Sequence, residues 1–345
     1  MVTGREPFGK NLIQPLQLLV LVSLILYFGR ILFIPLSFAV LISFLLYPVC
    51  RWLEGKGIPK SAAIAVGLLM ITVMIGLLVA LLVSQFNQFR DNWPSLSGRF
   101  NETIEQFSAA IAERFGFSRE NQLDWLKRSS GNVVTIIGST LFNSGSALVV
   151  AIIIPVYSAL ILYHRGLLTR LLVERFPAES RPRVMGVLSK VITTYYNFIK
   201  GMLVVYLIVG LLNSIGLLLL GIQQAFLFGF IASILTFIPY VGIMIASLLP
   251  ITVALLTKDS IWYPAGVVMV FAVVQYLEAN VIFPMAVSSR LKISTLVTVV
   301  VMFAGGILWG AAGMILFIPF AAIAKLIVDE VDPGGPLSKL LGNDD

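Results

Sequence analysis

Residues 225–256 read AFLFGFIASILTFIPYVGIMIASLLPITVALL and contain no charged side chain. This apolar run is interrupted once by a motif that breaks helices, Pro239-Tyr240-Val241-Gly242. A second uncharged stretch, residues 295–324, reads TLVTVVVMFAGGILWGAAGMILFIPFAAIA and is interrupted by the glycines from Gly305 to Gly313. Lipid tolerates irregular backbone only where protein or trapped water covers it, so two such breaks are typical of a solute pathway across a membrane.

The composition of the whole chain indicates the same environment. Of its 345 residues, 58% are hydrophobic and 12% are charged, and the mean hydropathy is +0.97, whereas soluble domains are about 25% charged. We therefore predict an all-α polytopic membrane protein. The net charge of +7 does not indicate nucleic-acid binding, because the basic residues lie at the ends of apolar segments. A lone His164 and a lone Cys50 exclude an intrachain disulfide and any His-rich or Cys-rich metal site.

Six segments are long and apolar enough to span a bilayer, which takes about 20 apolar residues. They are residues 12–28, 31–49, 61–83, 144–163, 201–222 and 261–285. Residues 84–132 are polar, and Asn92-Trp93-Pro94 predicts a break after the third span. Apolar residues spaced at threes and fours then predict an amphipathic helix outside the membrane. A second amphipathic helix, residues 184–200, is predicted to run into the fifth span.

The charge distribution predicts the orientation, because positive residues mark the cytoplasmic side. With the N-terminus inside and the first span uncleaved, the basic segments 51–60 and 165–200 fall inside. The charge-balanced segment 84–132 falls outside. We therefore predict a multi-pass protein with cytoplasmic N- and C-termini.

Residues 225–256 leave two topologies open. The stretch crosses once as a long tilted helix, or it folds back at Pro239 and Gly242 as a re-entrant hairpin. Each hairpin arm has about 14–17 residues, roughly 20–25 Å, which is too short to span comfortably. The hairpin places Arg290 and Lys292 inside, which the charge distribution favours.

In the hairpin topology, residues 295–324 enter from the cytoplasm, turn at their glycines and return. Residues 201–256 and 261–324 are then inverted copies of a span plus a hairpin, the plan of many secondary transporters. The alternative is eight ordinary spans with helix kinks. The hairpin topology divides the chain into N-terminal transmembrane helices (1–83), an extracytoplasmic amphipathic segment (84–132), a fourth span with a basic cytoplasmic segment (133–200), a transport core with two broken hairpins (201–327) and a cytoplasmic tail (328–345).

Glu278 is the first candidate for function, because an ionisable side chain inside a span costs at least ~2.5–3.5 kcal/mol at the bilayer centre. Gln275 and Glu278 share one face of the predicted helix, and Tyr276 and Asn280 share a neighbouring face. Four polar side chains in six positions predict a buried, partly hydrated surface. The alternative is an interfacial carboxylate that faces lipid headgroups or pairs with Arg290.

The two breaks supply the other candidates. A proline removes a backbone donor and a glycine permits close approach, so the first break can hold a polar solute on freed carbonyls and amides, or it is a structural kink. The glycines of the second break fit either a hairpin tip or a helix-packing face. The predicted substrate-binding and transport residues are Asn213, Pro239, Tyr240, Gly242, Gln275, Glu278, Asn280, Pro284, Gly305, Gly306 and Gly310.

Neither enzyme chemistry nor ATP-driven transport is predicted. The chain has no G-x-S-x-G or H-E-x-x-H motif, no intramembrane aspartate pair and no P-loop. We expect no cofactor and no metal site.

Five sequence segments carry a family resemblance. They are Leu46-Tyr47-Pro48-Val49 with Arg51, Leu53 and Glu54; Lys200-Gly201; Phe237-Ile238-Pro239-Tyr240-Val241-Gly242; Glu278-Ala279-Asn280-Val281-Ile282-Phe283-Pro284; and Gly305-Gly306 with Gly310, Gly313 and Pro319. Together they resemble the AI-2E, or PerM-like, family of bacterial membrane transporters over nearly the whole chain. Met202, Ser288 and Thr295 depart from the family pattern, which bears on the identity of the substrate.

The resemblance implies a secondary transporter in the bacterial cytoplasmic (inner) membrane that exports a small polar solute. Autoinducer-2, the quorum-sensing signal that names the family, is the implied solute, transported passively or with Na+ or H+ as coupling ion. The resemblance also implies a homo-oligomer in contact with membrane lipid, with a pentamer as the expected form. A sodium(lithium)/proton antiporter is the first alternative. A non-transporting membrane scaffold, which uses the two amphipathic helices to bind partners, is the second.

Overall fold

The computed structural model describes residues 10–115, 145–236, 241–258, 260–287 and 293–342. Every regular element in these ranges is helical, which confirms the all-α prediction. The chain also contains a 3-10 turn at Ala178–Ser180 and a π-helical turn at Glu278–Ile282. The helices are α1 (Lys10–Phe28), α2 (Arg30–Gly55), α3 (Lys60–Phe115), α4 (Gly145–Tyr163), α5 (Arg165–Glu174), α6 (Arg181–Leu219), α7 (Ala225–Leu235), α8 (Val241–Thr257), α9 (Trp262–Leu277), α10 (Phe283–Ala286), α11 (Thr295–Trp309), α12 (Ala311–Val331) and α13 (Pro336–Leu341).

Several of these helices can cross a membrane. Within the described ranges, five segments are long and apolar enough, and the bent pair α4–α5 makes a sixth if it counts as one span. The five are Arg30–Gly55, Lys60–Asn92, Ala178–Leu219, Trp262–Ala286 and Ala311–Val331. The multi-pass prediction is confirmed, but the set of spans differs in two ways. The predicted first span, residues 12–28, is not among these segments, because its described apolar part, Leu16–Phe28, is a shorter helix. The 21-residue α12, expected to be a hairpin arm, is long enough to span.

The long helices α3 and α6 differ in how well the sequence predicted them. Helix α3 continues through Asn92-Trp93-Pro94 to Phe115, about 84 Å in all, so the predicted break there is wrong. A proline inside a helix removes one hydrogen bond and often only bends the helix. Residues 116–132 of the predicted outer segment lie outside the described residues. Helix α6 is continuous over 39 residues, which confirms that the basic helix runs into the fifth span.

The chain forms two compact units, and α3 and α6 contribute to both. The first unit comprises residues 1–68, 150–197 and 289–345. In it, Arg165 pairs with Glu54 and Lys60 donates to the carbonyl of Tyr163. The two basic segments predicted to be cytoplasmic therefore lie side by side, in agreement with the prediction that both occupy one side of the membrane.

The C-terminal end of α12 lies against the same basic segment. Lys190 pairs with the Glu330 carboxylate, and Arg183 donates to the Glu330 carbonyl. At the same end of α12, the backbone N–H of Ser294, the residue before α11, donates to the carbonyl of Leu341 at 3.0 Å. The start of α11 and the chain beyond the end of α12 are therefore neighbours.

Helices α11 and α12 form a tight hairpin that turns at Gly310. Gly310 has φ 62° and ψ −142°, a conformation that essentially only glycine adopts. A Cβ atom on Gly313 would lie 1.9 Å from the carbonyl oxygen of Gly305, so the two helices touch through backbone. At the tip, the indole Nε1 of Trp309 donates to the carbonyl of Leu26 at 2.9 Å. Residues 295–324 therefore fold back on themselves, with the tip beside the C-terminal end of α1.

The Trp309 hydrogen bond gives a test of this docking. We expect Trp309→Phe to lower the free energy of unfolding by about 1–2 kcal/mol, because it leaves the Leu26 carbonyl without its donor while the phenyl ring keeps the edge contact with Phe317. The measurement is the melting temperature of the purified protein. Trp52→Phe is the control, because Trp52 is 59% exposed, and equal melting temperatures for both variants would contradict the docking.

The second unit comprises residues 69–149 and 198–288. Its core joins Phe86 and Phe89 of α3 to Leu217, Phe228 and buried residues of α7, α8 and α9. The rings of Phe89 and Phe228 meet edge to face with centroids 5.8 Å apart. This packing holds α7 and α8 in one core with α3, α6 and α9.

Residues 225–256 also fold back. A Cβ on Gly242 would lie 1.7 Å from the carbonyl oxygen of Leu235, so α7 and α8 meet through backbone at the turn. At the open end, the Nζ atom of Lys258 lies beside Gly221. Helix α7 is about 16 Å long and α8 about 25 Å, both short for a span. Residues 237–240, between α7 and α8 in the chain, lie outside the described residues, and the depth of either hairpin in the bilayer stays a prediction.

Candidate functional site

The candidate site lies in the second unit, where α6 and α9 pack antiparallel. A Cβ on Gly201 would lie 2.5 Å from the carbonyl oxygen of Ala286, and a Cβ on Gly216 would lie 2.4 Å from Val270. Four buried valines fill the contact near Gly201: Val205, Val209, Val274 and Val287. The glycines permit a close approach, and the polar residues of the site lie between these two contact points.

The sequence Glu278-Ala279-Asn280-Val281-Ile282-Phe283-Pro284 forms a π-helical turn because of its proline. A proline ring clashes with the carbonyl four residues earlier in a regular α-helix, here that of Asn280. The chain widens instead, and the backbone N–H of Phe283 donates to the carbonyl of Glu278, five residues back. Such widened turns occur frequently at functional sites, and this one begins at the carboxylate that the sequence singled out.

Glu278 is buried and incompletely satisfied. It extends the buried stripe Val267, Phe271 and Val274 along α9 and is 7% exposed. Its Oε2 atom has no hydrogen-bond partner among the described residues. Tyr206 of α6 lies close enough for the carboxylate to act on its hydroxyl electrostatically. Arg290, the alternative partner considered from sequence, lies outside the described residues.

Asn213 and Gln275 share this unsatisfied character. Asn213 is 0% exposed, and neither its Nδ2 nor its Oδ1 bonds to any residue that the structure describes. It lies on the face of α6 that carries Val209 and Gly216, toward α9. The Oε1 atom of Gln275 is also buried without a described partner. A buried polar atom without a hydrogen bond costs about 1–3 kcal/mol, so these side chains are placed to bond to something other than the described chain.

The other predicted residues of the second unit do not join this group. Asn280 is exposed and its Nδ2 donates to the Tyr276 carbonyl at 2.9 Å. Pro284 is half-buried and shapes the π-helical turn. Gly242 is buried at the turn between α7 and α8. Pro239 and Tyr240 lie outside the described residues.

The three predicted glycines of the first unit have structural positions. Gly305 packs against Gly313, and Gly310 forms the turn. A Cβ atom added to Gly306 would lie 2.7 Å from the side chain of Met314, so Gly306 also permits close packing of the two helices. Both interpretations of this motif, a hairpin tip and a helix-packing face, therefore describe it. Because a glycine has no polar side chain, these three positions contribute no unsatisfied side-chain atom to a binding site.

Sequence reasoning missed one feature, a cavity of about 1110 Å³ in the first unit. Arginines from α2, α5 and α6 line it. In the sequence analysis these arginines indicated only the orientation of the chain in the membrane. The available signal was the repeated pairing of leucines with arginines in residues 165–172. The convergence of these residues on α2 becomes visible only in the fold.

The site between α6 and α9 has a definite chemistry. One carboxylate and two amides offer donors and acceptors inside an apolar helix pair, which suits a polar solute, a proton or a monovalent cation. Among the described residues, no cluster of His, Cys, Asp or Glu could hold a metal ion. A multi-pass helical protein with polar side chains inside its apolar helices has the build of a membrane transport protein.

Comparison with known proteins gives the family. The model of the family described as "AI-2E family transporter" matches residues 16–332. The chain belongs to the AI-2E transporter family, as its sequence motifs predicted.

Curated relatives are similar over most of their length. "Putative transport protein YrrI" of Bacillus subtilis (strain 168) is 26% identical over 290 residues, which cover 81% of each chain. "Putative transport protein YhhT" of Escherichia coli (strain K12) is 22% identical over 306 residues, 86% of this chain and 83% of the relative. "AI-2 transport protein TqsA" of the same strain is 22% identical over 295 residues, 83% of this chain and 82% of the relative. These relatives support a role in transport.

Proposed function

We propose that this protein is a secondary transporter that exports a small polar solute, with Asn213, Gln275 and Glu278 as the binding residues. One observation carries the proposal: Asn213 and Glu278 are buried, Gln275 is half-buried with its Oε1 atom buried, and no described residue satisfies their buried polar atoms. A polar solute or a hydrated ion would supply the missing hydrogen bonds. Family membership supports transport as the process.

Autoinducer-2 is the first solute to test, because one relative is named an AI-2 transport protein. We further propose Na+ or H+ as coupling ion, held at Glu278, and a homo-oligomer in the bacterial inner membrane with both termini in the cytoplasm. The buried carboxylate also favours a second candidate function, a sodium(lithium)/proton antiporter, since a lone carboxylate can exchange a proton for a cation.

Flux in reconstituted vesicles tests the proposal and separates the candidates. We expect vesicles that contain the protein to show counterflow of a labelled furanosyl solute above that of empty vesicles, and we expect excess unlabelled solute to compete. Sodium-driven proton flux without solute counterflow would favour the antiporter. Vesicles in which neither flux exceeds the empty control would overturn transport and leave the scaffold alternative.

A further inference from the structure

The large cavity of the first unit lies among α2, α4, α5 and α6. Its volume is about 1110 Å³. Four arginines line it: Arg51, Arg165, Arg170 and Arg181. Glu174 is the carboxylate in the lining. The cavity is therefore a positively charged pocket in an otherwise apolar protein.

Of these four arginines, Arg51 and Arg170 are free to meet a ligand, whereas Arg165 and Arg181 already have partners. Arg165 pairs with Glu54, although its Nη1 atom has no hydrogen-bond partner in the described part of the chain. Arg181 donates its Nε to the carbonyl of Phe176 at 3.3 Å. Arg51 and Arg170 have no ion pair within the described ranges. A guanidinium offers several donors in a planar fork that matches a phosphate group.

The cavity lies at the level where apolar helices end. The chain bends by 63° between α4 and α5. Helix α5 alternates arginines with the exposed leucines Leu167, Leu168, Leu171 and Leu172, the pattern of a helix lying in the membrane interface. Such a helix places its leucines among acyl chains and its arginines among headgroups.

Three aromatic–cation pairs mark the same level. Lys56 lies over the ring of Trp52 at 3.7 Å, Lys60 over Tyr163 at 5.2 Å, and Arg165 over Tyr47 at 5.3 Å. Tyrosine, tryptophan and basic residues are enriched where a membrane protein passes from hydrocarbon into the headgroup layer. The mouth of the cavity is therefore expected at the headgroup layer.

We propose that this cavity binds the phosphate group of an anionic membrane phospholipid. Arg51 and Arg170 bind the phosphate, and the apolar wall of the cavity, which includes Phe44, Leu168 and Leu172, takes the beginning of an acyl chain. A soluble phosphate compound shares the headgroup chemistry but has no acyl chain to contact the exposed leucines of α5. The bound lipid bridges α2 and α5, separately from the transport site proposed above.

Native mass spectrometry of the purified protein tests this site, with phosphatidylglycerol and phosphatidylcholine as probes. We expect phosphatidylglycerol to bind to the wild type, and Arg51→Gln and Arg170→Gln each to weaken that binding by about fivefold, the effect of ~1 kcal/mol per basic residue at a membrane surface. Arg175→Gln is the matched control, because Arg175 is exposed, follows α5 and does not line the cavity. It should bind phosphatidylglycerol as the wild type does.

Three results would overturn the proposal. Equal binding of phosphatidylcholine and phosphatidylglycerol would remove the role of headgroup charge. Equal losses in Arg175→Gln and in the two cavity variants would show that net charge, rather than this cavity, determines binding. Binding of inorganic phosphate, measured by calorimetry and weakened by Arg170→Gln, without any phosphatidylglycerol binding would reassign the cavity to a soluble phosphate compound.

Discussion

Glu278→Gln is expected to lower the initial rate of solute transport in reconstituted vesicles by about tenfold or more, equal to ~1.4 kcal/mol. Glutamine keeps the shape and one acceptor of the buried side chain but removes its charge. The cost of holding that charge away from water disappears with it, so insertion and the melting temperature should stay equal or rise. The predicted signature is therefore a protein that is as stable as the wild type and transports poorly.

The control separates the site from a general loss of negative charge. Glu179→Gln makes the same chemical change at an exposed position of the 3-10 turn before α6 and should transport at the wild-type rate. Glu278→Asp keeps the charge on a shorter side chain and should fall between the wild type and Glu278→Gln. Wild-type flux in Glu278→Gln would remove the carboxylate from the mechanism, and a parallel fall in melting temperature would make its role structural.

Helical periodicity alone predicted part of this site. Gln275 and Glu278 are three residues apart, so they share a face whatever the surroundings, and the structure buries polar atoms of both. The prediction that Tyr276 and Asn280 also lie on a buried surface is wrong, because both are exposed on a neighbouring face of the helix. The burial of Asn213 at this site could not be predicted in the same way, because it depends on where α9 crosses α6. A lone amide in an apolar run does not indicate which side of its helix meets a partner.

The two breaks show where local sequence is enough and where it is not. Proline and glycine in residues 239–242, and the glycines from Gly305 to Gly313, indicated chain reversal as one of two topologies because their backbone preferences are local. Asn92-Trp93-Pro94 offered a similar signal, yet α3 continues through it. The two cases differ in backbone conformation: a single proline costs one helical hydrogen bond, whereas Gly310 takes up a conformation that a helix does not contain. The leucines and arginines of residues 165–172 indicate an amphipathic segment, but the convergence of arginines from α2, α5 and α6 on one cavity is a tertiary feature.

Gly313→Ala is expected to destabilise the protein by about 3 kcal/mol, near the upper end of the usual cost of overpacking. The new methyl group would lie 1.9 Å from the carbonyl oxygen of Gly305, and backbone cannot move aside as a flexible side chain can. Helices α11 and α12 would have to separate. In a membrane, helix pairs depend on close van der Waals packing, so the separation also loses contacts along both helices. Gly242→Ala should act similarly on α7–α8, where the methyl group would lie 1.7 Å from the carbonyl oxygen of Leu235.

A glycine with free space provides the control for the size of this effect. Gly186 is an exposed position inside α6, and a Cβ there would meet no other atom within 4 Å. Gly186→Ala should therefore leave the protein unchanged or stabilise it by about 0.5–1 kcal/mol, the helix-propensity gain of alanine over glycine. Thermal unfolding and the yield of monodisperse protein measure all three variants. If Gly313→Ala and Gly242→Ala have the same melting temperature as Gly186→Ala, the helices of the two hairpins do not touch through backbone. The stretches 225–256 and 295–324 would then not form the tight hairpins described above.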